Sequence, residues 1–116
     1  MLPFLVDTLG NALDLYDSIG WWDDANHFVN WALLGGAVGI ALLRTRVGQA
    51  ELFALVVGFG AVAAIVWELG EYFAFIRDSP ELATAYTDTL GDMSLGLGGS
   101  MLAAAIAVVA RRRRRR

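Results

Sequence analysis

The 116-residue chain contains no cysteine and no lysine. The absence of cysteine excludes disulfides, thiol nucleophiles and cysteine-ligated metal ions. The absence of lysine means that all nine basic residues are arginines, and six of them occupy the last six positions, 111–116. The rest of the chain therefore has three arginines against twelve acidic residues, and it contains long stretches with no charge.

Hydrophobic residues make up 57% of the chain, whereas soluble domains have roughly 45–50% apolar residues even with glycine included. Three stretches, 25–43, 52–76 and 89–110, are long enough to cross a bilayer, which takes about 20 apolar residues. Each is predicted to be a helix, because backbone groups in lipid must hydrogen-bond internally. The sequence thus predicts an all-α integral membrane bundle: a single membrane domain over residues 1–110, followed by a basic tail at 111–116.

The arginines also predict the orientation of the chain. Arg44 and Arg46 lie between the first and second stretches, and the tail follows the third. All of them fall on one side of a three-span protein, and the positive-inside rule makes that side cytoplasmic. We therefore expect a multi-pass cell-membrane protein whose N-terminus and 77–88 loop lie outside. The tryptophans and tyrosines expected to form an outer interfacial belt are Trp21, Trp22, Trp31, Trp67, Tyr72 and Tyr86.

The first 24 residues have apolar positions at helical spacing, with Asp7, Asn11, Asp14 and Asp17 between them. This pattern favours an amphipathic helix lying on the outer surface. A re-entrant segment packed beside the spans is a second interpretation. A third is that an upstream span is missing from this chain.

The arginine tail is expected to contact anionic lipids of the bilayer, at about 1 kcal/mol per arginine near the surface. Nucleic-acid binding is not expected, because no aromatic residues are interleaved with the arginines.

Small residues recur every four positions in each predicted span. They are Gly35 and Gly39 in the first, Ala54 and Gly58 in the second, and Gly96, Ser100 and Ala104 in the third. Such spacing lets helix backbones approach closely in lipid. It predicts a compact bundle or a homo-oligomer formed through the glycine faces.

Titratable residues near the ends of the spans form one cluster per span. The clusters are Asp23, Asp24 and His27; Glu68 and Glu71; and Asp88 and Asp92. Spacings of three or four put the members of a cluster on one helix face. With the predicted orientation, all three clusters fall at the outer end. A lipid-facing carboxylate costs about 2.5–3.5 kcal/mol on the insertion scale, so we expect the clusters to face inward and form one site.

Carboxylates gathered in one pocket cannot all stay ionised without compensation. Three outcomes are open: a bound cation, protonation with proton relay, or a structural network with Arg77, His27, Asn26 and Asn30. A divalent metal ion is preferred, because oxygen ligands with one imidazole suit Zn, Mn or Fe, as well as Mg or Ca. The predicted ligands are Asp23, His27, Glu68, Glu71, Asp88 and Asp92. Taken alone, Asp88 and one of Asp23 and Asp24 are also suited to capping helix starts.

The segments DDANHF, WELGEY and TDTLGDMSLGLGG resemble the YjdF-like family of bacterial inner-membrane proteins. The resemblance covers roughly positions 14–105 and includes all six predicted ligands. VanZ-like membrane proteins are similar more distantly, with Gln usually in place of the second acid of the Glu68 and Glu71 pair. Members of the YjdF-like family are usually longer, which implies that this chain corresponds to the C-terminal half. The family is essentially uncharacterised, so the resemblance implies one shared polar site without naming a substrate.

Three functions fit these residues, and the sequence does not decide whether the protein is an enzyme. A metal-dependent enzyme acting on a lipid or envelope precursor would use the ion to activate water or to polarise a phosphoryl or acyl group. Glu71 or Asp88 would then serve as base. A proton- or cation-coupled carrier would protonate Glu68 and Asp92 alternately. A structural or accessory subunit would bind a partner through its glycine faces.

Overall fold

The computed structural model describes residues 9–10, 12–13 and 21–114, and no strand occurs among them. Three long helices dominate: α1 (Trp22–Leu42), α2 (Gln49–Glu71) and α3 (Ala85–Arg114). A π-helical turn, Tyr72–Ile76, continues α2, and a short 3-10 helix, Pro80–Ala83, precedes α3. The predicted amphipathic or re-entrant N-terminal helix falls outside the described residues, apart from 9–10, 12–13 and 21–24.

Each long helix is long and apolar enough to cross a membrane, which confirms the all-α membrane bundle. The helices extend past the apolar stretches: α1 begins at Trp22 rather than at position 25, and α3 runs from Ala85 to Arg114 rather than over 89–110. The extensions are polar. Acidic residues in a first turn, such as Asp23 and Asp24 of α1, interact favourably with the positive end of the helix dipole. Arginines in a last turn, as in α3, interact favourably with the negative end. Both therefore let the helix continue beyond its apolar stretch.

Helix α3 lies between the other two, and it contacts both α1 and α2 more extensively than they contact each other. It runs in the same direction as α1, since Trp31 meets Gly96 and Gly39 meets Ala107. It runs opposite to α2, since Gly60 meets Ser100 and Gln49 meets Arg112. Two bundle ends follow from this arrangement. The "site end" contains the starts of α1 and α3 and the end of α2, and the "Arg end" contains the opposite ends of all three.

Two of the three predicted small-residue faces make close helix contacts inside the bundle. A Cβ atom at Gly35 would lie 3.2 Å from the Ala103 Cβ, and one at Gly39 would lie 3.0 Å from the Ala107 Cβ. In α3, all three predicted small residues are buried: Gly96, Ser100 and Ala104. These contacts show that small residues bring α1 and α3 together, as expected for a compact bundle.

The third face, Ala54 and Gly58 in α2, is exposed and does not pack within the bundle that the structure describes. Apart from Gly58's own neighbours and helix backbone, no described atom lies within 4 Å of the position that a Gly58 Cβ would take. Helix α2 uses Gly60 instead, where a Cβ would overlap the Ser100 side chain. Since α2 is apolar on every side, spacing alone did not separate its lipid face from its protein face. Homo-oligomerisation through Gly58 stays a prediction.

At the Arg end, the first residue of the basic run is part of the packing. Arg111 is buried at 4% exposure, and its guanidinium donates hydrogen bonds to the carbonyl oxygens of Leu42, Thr45 and Val47. The neighbouring Arg112 Nε donates to the Gln49 side chain at 2.9 Å. The run predicted as a tail from position 111 therefore continues α3 as far as Arg114, and Arg111 joins α3 to the end of α1 and the following loop.

Candidate metal-binding site

The titratable side chains reach the interior because each extends a buried stripe of its helix. In α1 the stripe is His27, Trp31, Gly35 and Gly39; in α2 it is Glu68, Ala64, Gly60 and Val56; in α3 it includes Asp92, Gly96, Gly99 and Ala103. Residues four apart lie on one helix face. Since these stripes pack on one another, the titratable residue at the site end of each stripe meets the other two.

His27 is the centre of the cluster, with carboxylates on both sides of its ring. Its Nε2 lies 3.6 Å from an Asp23 oxygen and 3.7 Å from an Asp92 oxygen. Its Nδ1 lies 3.8 Å from a Glu68 oxygen. Three helices therefore supply acids to one imidazole, as the sequence predicts for a shared site.

The cluster is deeply buried except at Asp23. His27, Glu68 and Asp92 are 8%, 6% and 5% exposed, whereas the Asp23 side chain is 43% exposed. The separations of 3.6–3.8 Å exceed the 2.7–3.2 Å of a hydrogen bond. The buried His27 Nδ1 has no hydrogen-bond partner in the part of the chain that the structure describes. The acids thus surround the imidazole without bonding to it.

Two groups of potential metal ligands share His27: one with Asp23 and Asp92, the other with Glu68 and Glu71. Within each group the ligand atoms all lie within 4.8 Å of one another. These five residues are among the six that the sequence predicts. The sixth, Asp88, is exposed and belongs to neither group.

The remaining polar residues named from the sequence lie around the cluster. Asp24 is exposed at the start of α1. Arg77 donates from its Nε to Asp78 at 2.9 Å, and among the described residues neither Glu68 nor Asp92 forms an ion pair with an arginine. Arg77, proposed as a partner of the acids in a structural network, therefore pairs with an exposed neighbour instead.

Trp31 forms the floor of the cluster, which corrects its predicted place in an interfacial belt. It is 7% exposed, and a Cβ at Gly96 would lie 2.6 Å from the Trp31 ring. Trp31 follows His27 by one helical turn and Gly96 follows Asp92 by one turn, so their contact closes the site toward the Arg end. The i,i+4 spacing from His27 was the signal for this role. Of the other predicted belt residues, Trp21, Trp67, Tyr72 and Tyr86 are exposed.

Comparison with protein families matches residues 1–113 to a family described as predicted membrane proteins, DUF2238. Comparisons with curated proteins and with solved structures return no match. The family match includes α1, α2, all of α3 except its last residue, and every residue of the candidate site. The chain therefore belongs to the DUF2238 family of predicted membrane proteins.

Proposed function

We propose that this protein binds a divalent metal ion at the site end of its bundle, through His27 and the carboxylates around it. The observation that carries the proposal is one buried imidazole with acids from three helices within 4 Å, namely Asp23, Glu68 and Asp92. Burying charged carboxylates without a counter-charge costs several kcal/mol per ion. A divalent cation bound among them offsets that cost.

A purely structural network accounts less well for the same geometry. Such networks keep buried polar groups hydrogen-bonded, yet the His27 separations are too long for hydrogen bonds and its Nδ1 has no partner among the described residues. Arg77, the arginine that lies nearest to Glu68 and Glu71 in the sequence, pairs with Asp78 and not with these acids. The spacing of these groups fits side chains that share a bound cation.

We propose further that the site acts on a lipid or envelope precursor. A bound divalent ion supplies Lewis-acid polarisation of a phosphoryl or acyl oxygen and a more acidic water. The exposed Trp67 and Tyr72 near the site end have the amphipathic rings that sit at headgroup level in membranes. Glu71, which is only partly buried, is our candidate for the base. The resemblance to YjdF-like proteins, finer than the family match, supports a shared polar site of this kind.

The carrier hypothesis has less support, because a carrier needs a polar path across the bilayer. Between Asp92 and Arg111, the described buried residues of α3 are glycines, alanines and Ser100. The Ser100 hydroxyl donates to the Gly96 carbonyl at 2.9 Å, within its own helix. Trp31 also closes the interior directly beneath the acids. The interior thus favours a site open at one end over a route through the bundle.

The test is metal binding by the full chain purified in detergent, stripped with chelator and reloaded with Zn²⁺ or Mn²⁺. We expect about one ion per chain by elemental analysis. We also expect a stability gain of about 2.7 kcal/mol at a metal concentration 100 times Kd, since only the folded state holds the site. His27→Gln and Asp92→Asn should lose both effects.

Asp88→Asn is the matched control, because Asp88 lies one turn before Asp92 on α3 but is exposed. It should bind like the unmodified protein. Equal metal content in the His27→Gln and unmodified proteins, or no stoichiometric ion in either, would contradict the proposal.

A further inference from the structure

We infer that the metal ion binds on the Nε2 side of His27, between Asp23 and Asp92, and that Glu68 is a positioning residue that accepts a hydrogen bond from the protonated Nδ1. This inference rests on the proposed metal site. It assigns Asp23 and Asp92 as ligands and Glu68 as an orienting partner on the other side of the ring. Glu71, which groups with His27 and Glu68, is not a ligand in this assignment.

The Nε2 side has the spacing of a coordination shell. Metal–nitrogen and metal–oxygen bonds of zinc are about 2.0–2.2 Å long, so tetrahedral geometry separates the ligand atoms by about 3.4 Å. The Nε2 distances to the Asp23 and Asp92 oxygens are 3.6 and 3.7 Å. The two acids come from different helices, α1 and α3, so an ion there would bridge the helices that carry it. Small side-chain movements suffice to close around it.

The Nδ1 side has the features of an orienting contact. Metal-binding histidines almost always donate their other ring N–H to a carboxylate, a carbonyl or water, which fixes the tautomer. Nδ1 is buried without a hydrogen-bond partner among the described residues, and a Glu68 oxygen is the acid next to it, at 3.8 Å. A proton on Nδ1 leaves the Nε2 lone pair free for the metal.

Access to solvent also favours the Nε2 side. The Asp23 side chain is 43% exposed, while Glu68 on the other side of the ring is 6% exposed. A metal site needs an entry path, and Asp23 lies on it. Three protein ligands leave a fourth tetrahedral position open for water, which is the arrangement of catalytic rather than structural zinc sites.

The chain contains a single histidine, which makes the test direct. The full chain, labelled with ¹⁵N-histidine and held in detergent micelles, gives two ring-nitrogen signals, both from His27. Loading with ¹¹³Cd²⁺ as the probe should produce a one-bond cadmium–nitrogen coupling on Nε2, with the proton on Nδ1. Coupling on Nδ1 would overturn the inference while leaving the metal site standing. Absence of coupling on either nitrogen would overturn both.

Two variants test the separate roles of the acids. Asp92→Asn should abolish the cadmium coupling, whereas Glu68→Gln should retain it on Nε2 with affinity about 10- to 100-fold weaker. In the cadmium-loaded protein, Glu68→Gln should also shift the Nδ1 signal, because an amide oxygen is a weaker acceptor for Nδ1–H than a carboxylate, and a merely structural residue would not cause that change. Asp88→Asn should leave the spectrum unchanged. Loss of coupling in Glu68→Gln with retention in Asp92→Asn would reverse the assignment and overturn the inference.

Discussion

The helices approach each other most closely at glycine residues. A Cβ at Gly99 would overlap the carbonyl oxygen of Phe28, and one at Gly60 would overlap the Ser100 side chain. Backbone atoms cannot move aside as a flexible side chain can. Gly99 therefore sets how near α1 and α3 approach, directly below the candidate site.

Gly99→Ala should lower the free energy of unfolding by about 1–3 kcal/mol, because overpacking a close contact forces the helices apart. Gly91→Ala is the control, since Gly91 lies on the same helix and the added Cβ would meet no described atom within 4 Å beyond its own neighbours and helix backbone. It should be neutral or stabilising by up to about 1 kcal/mol, the helix propensity gain of alanine over glycine. Thermal unfolding in detergent, followed by circular dichroism, measures both. Equal melting temperatures for the two variants would contradict the contact.

Single residues were predictable from the sequence where they stand out chemically. His27, Glu68 and Asp92 are ionisable groups in apolar surroundings, so their inward direction followed from the cost of exposing them to lipid. Gly58 and Gly60 are both glycines on the same apolar helix, so residue type does not tell which of them is buried. Gly60 is buried because it lies two turns from Glu68, on the same face of α2. Trp31 has a side chain that suits an interface as well as a core, and its contact with Gly96 decided between them.

At the scale of helices, Arg111 connects elements that are distant in the chain. Its guanidinium bonds to carbonyl oxygens at the end of α1 and in the loop before α2. Helix C-termini leave carbonyls without intrahelical partners. At the end of α1 the Leu42 carbonyl accepts hydrogen bonds from Thr45 and also from the buried Arg111 of α3. The sequence did not reveal this role, because Arg111 is the first of six identical residues and nothing in the run distinguishes it.

Arg111→Gln should destabilise the loop between α1 and α2, since hydrogen bonds to charged groups contribute about 1.5–3 kcal/mol. Faster hydrogen–deuterium exchange in residues 43–48, measured by mass spectrometry, is the expected result. Arg113→Gln, at an exposed position of the same run, should leave exchange in that loop unchanged. The same exchange rate in both variants would show that Arg111 does not hold the loop.

At the scale of the whole molecule, charge is divided between the two ends of the bundle. The Arg end contains Arg44, Arg46 and Arg111–Arg114, and the site end contains the acids around His27. The positive-inside rule then predicts that the Arg end faces the cytoplasm and the site end faces out. This orientation is our proposal, and it puts the candidate metal site on the extracytoplasmic side.

The chain has no cysteine, so single introduced cysteines report orientation without background. Glu81→Cys at the site end should react with a membrane-impermeant maleimide in intact cells. Arg46→Cys at the Arg end should react only after the membrane is permeabilised. Both positions are exposed, which makes them a matched pair. The opposite labelling pattern would invert the predicted topology.

The buried stripe of α1 has a consequence for how variants of this protein are interpreted. His27 and Gly35 share that stripe at a distance of about 12 Å along the helix, at 1.5 Å per residue. A helix such as α1 tends to move as one body, so a displacement at Gly35 also moves His27. Bulk introduced at Gly35 would therefore tilt or slide α1 and carry the imidazole away from Asp92, although no group that touches an ion had changed. A substitution in the middle of the membrane could then weaken metal binding at the proposed site without changing any of its ligands.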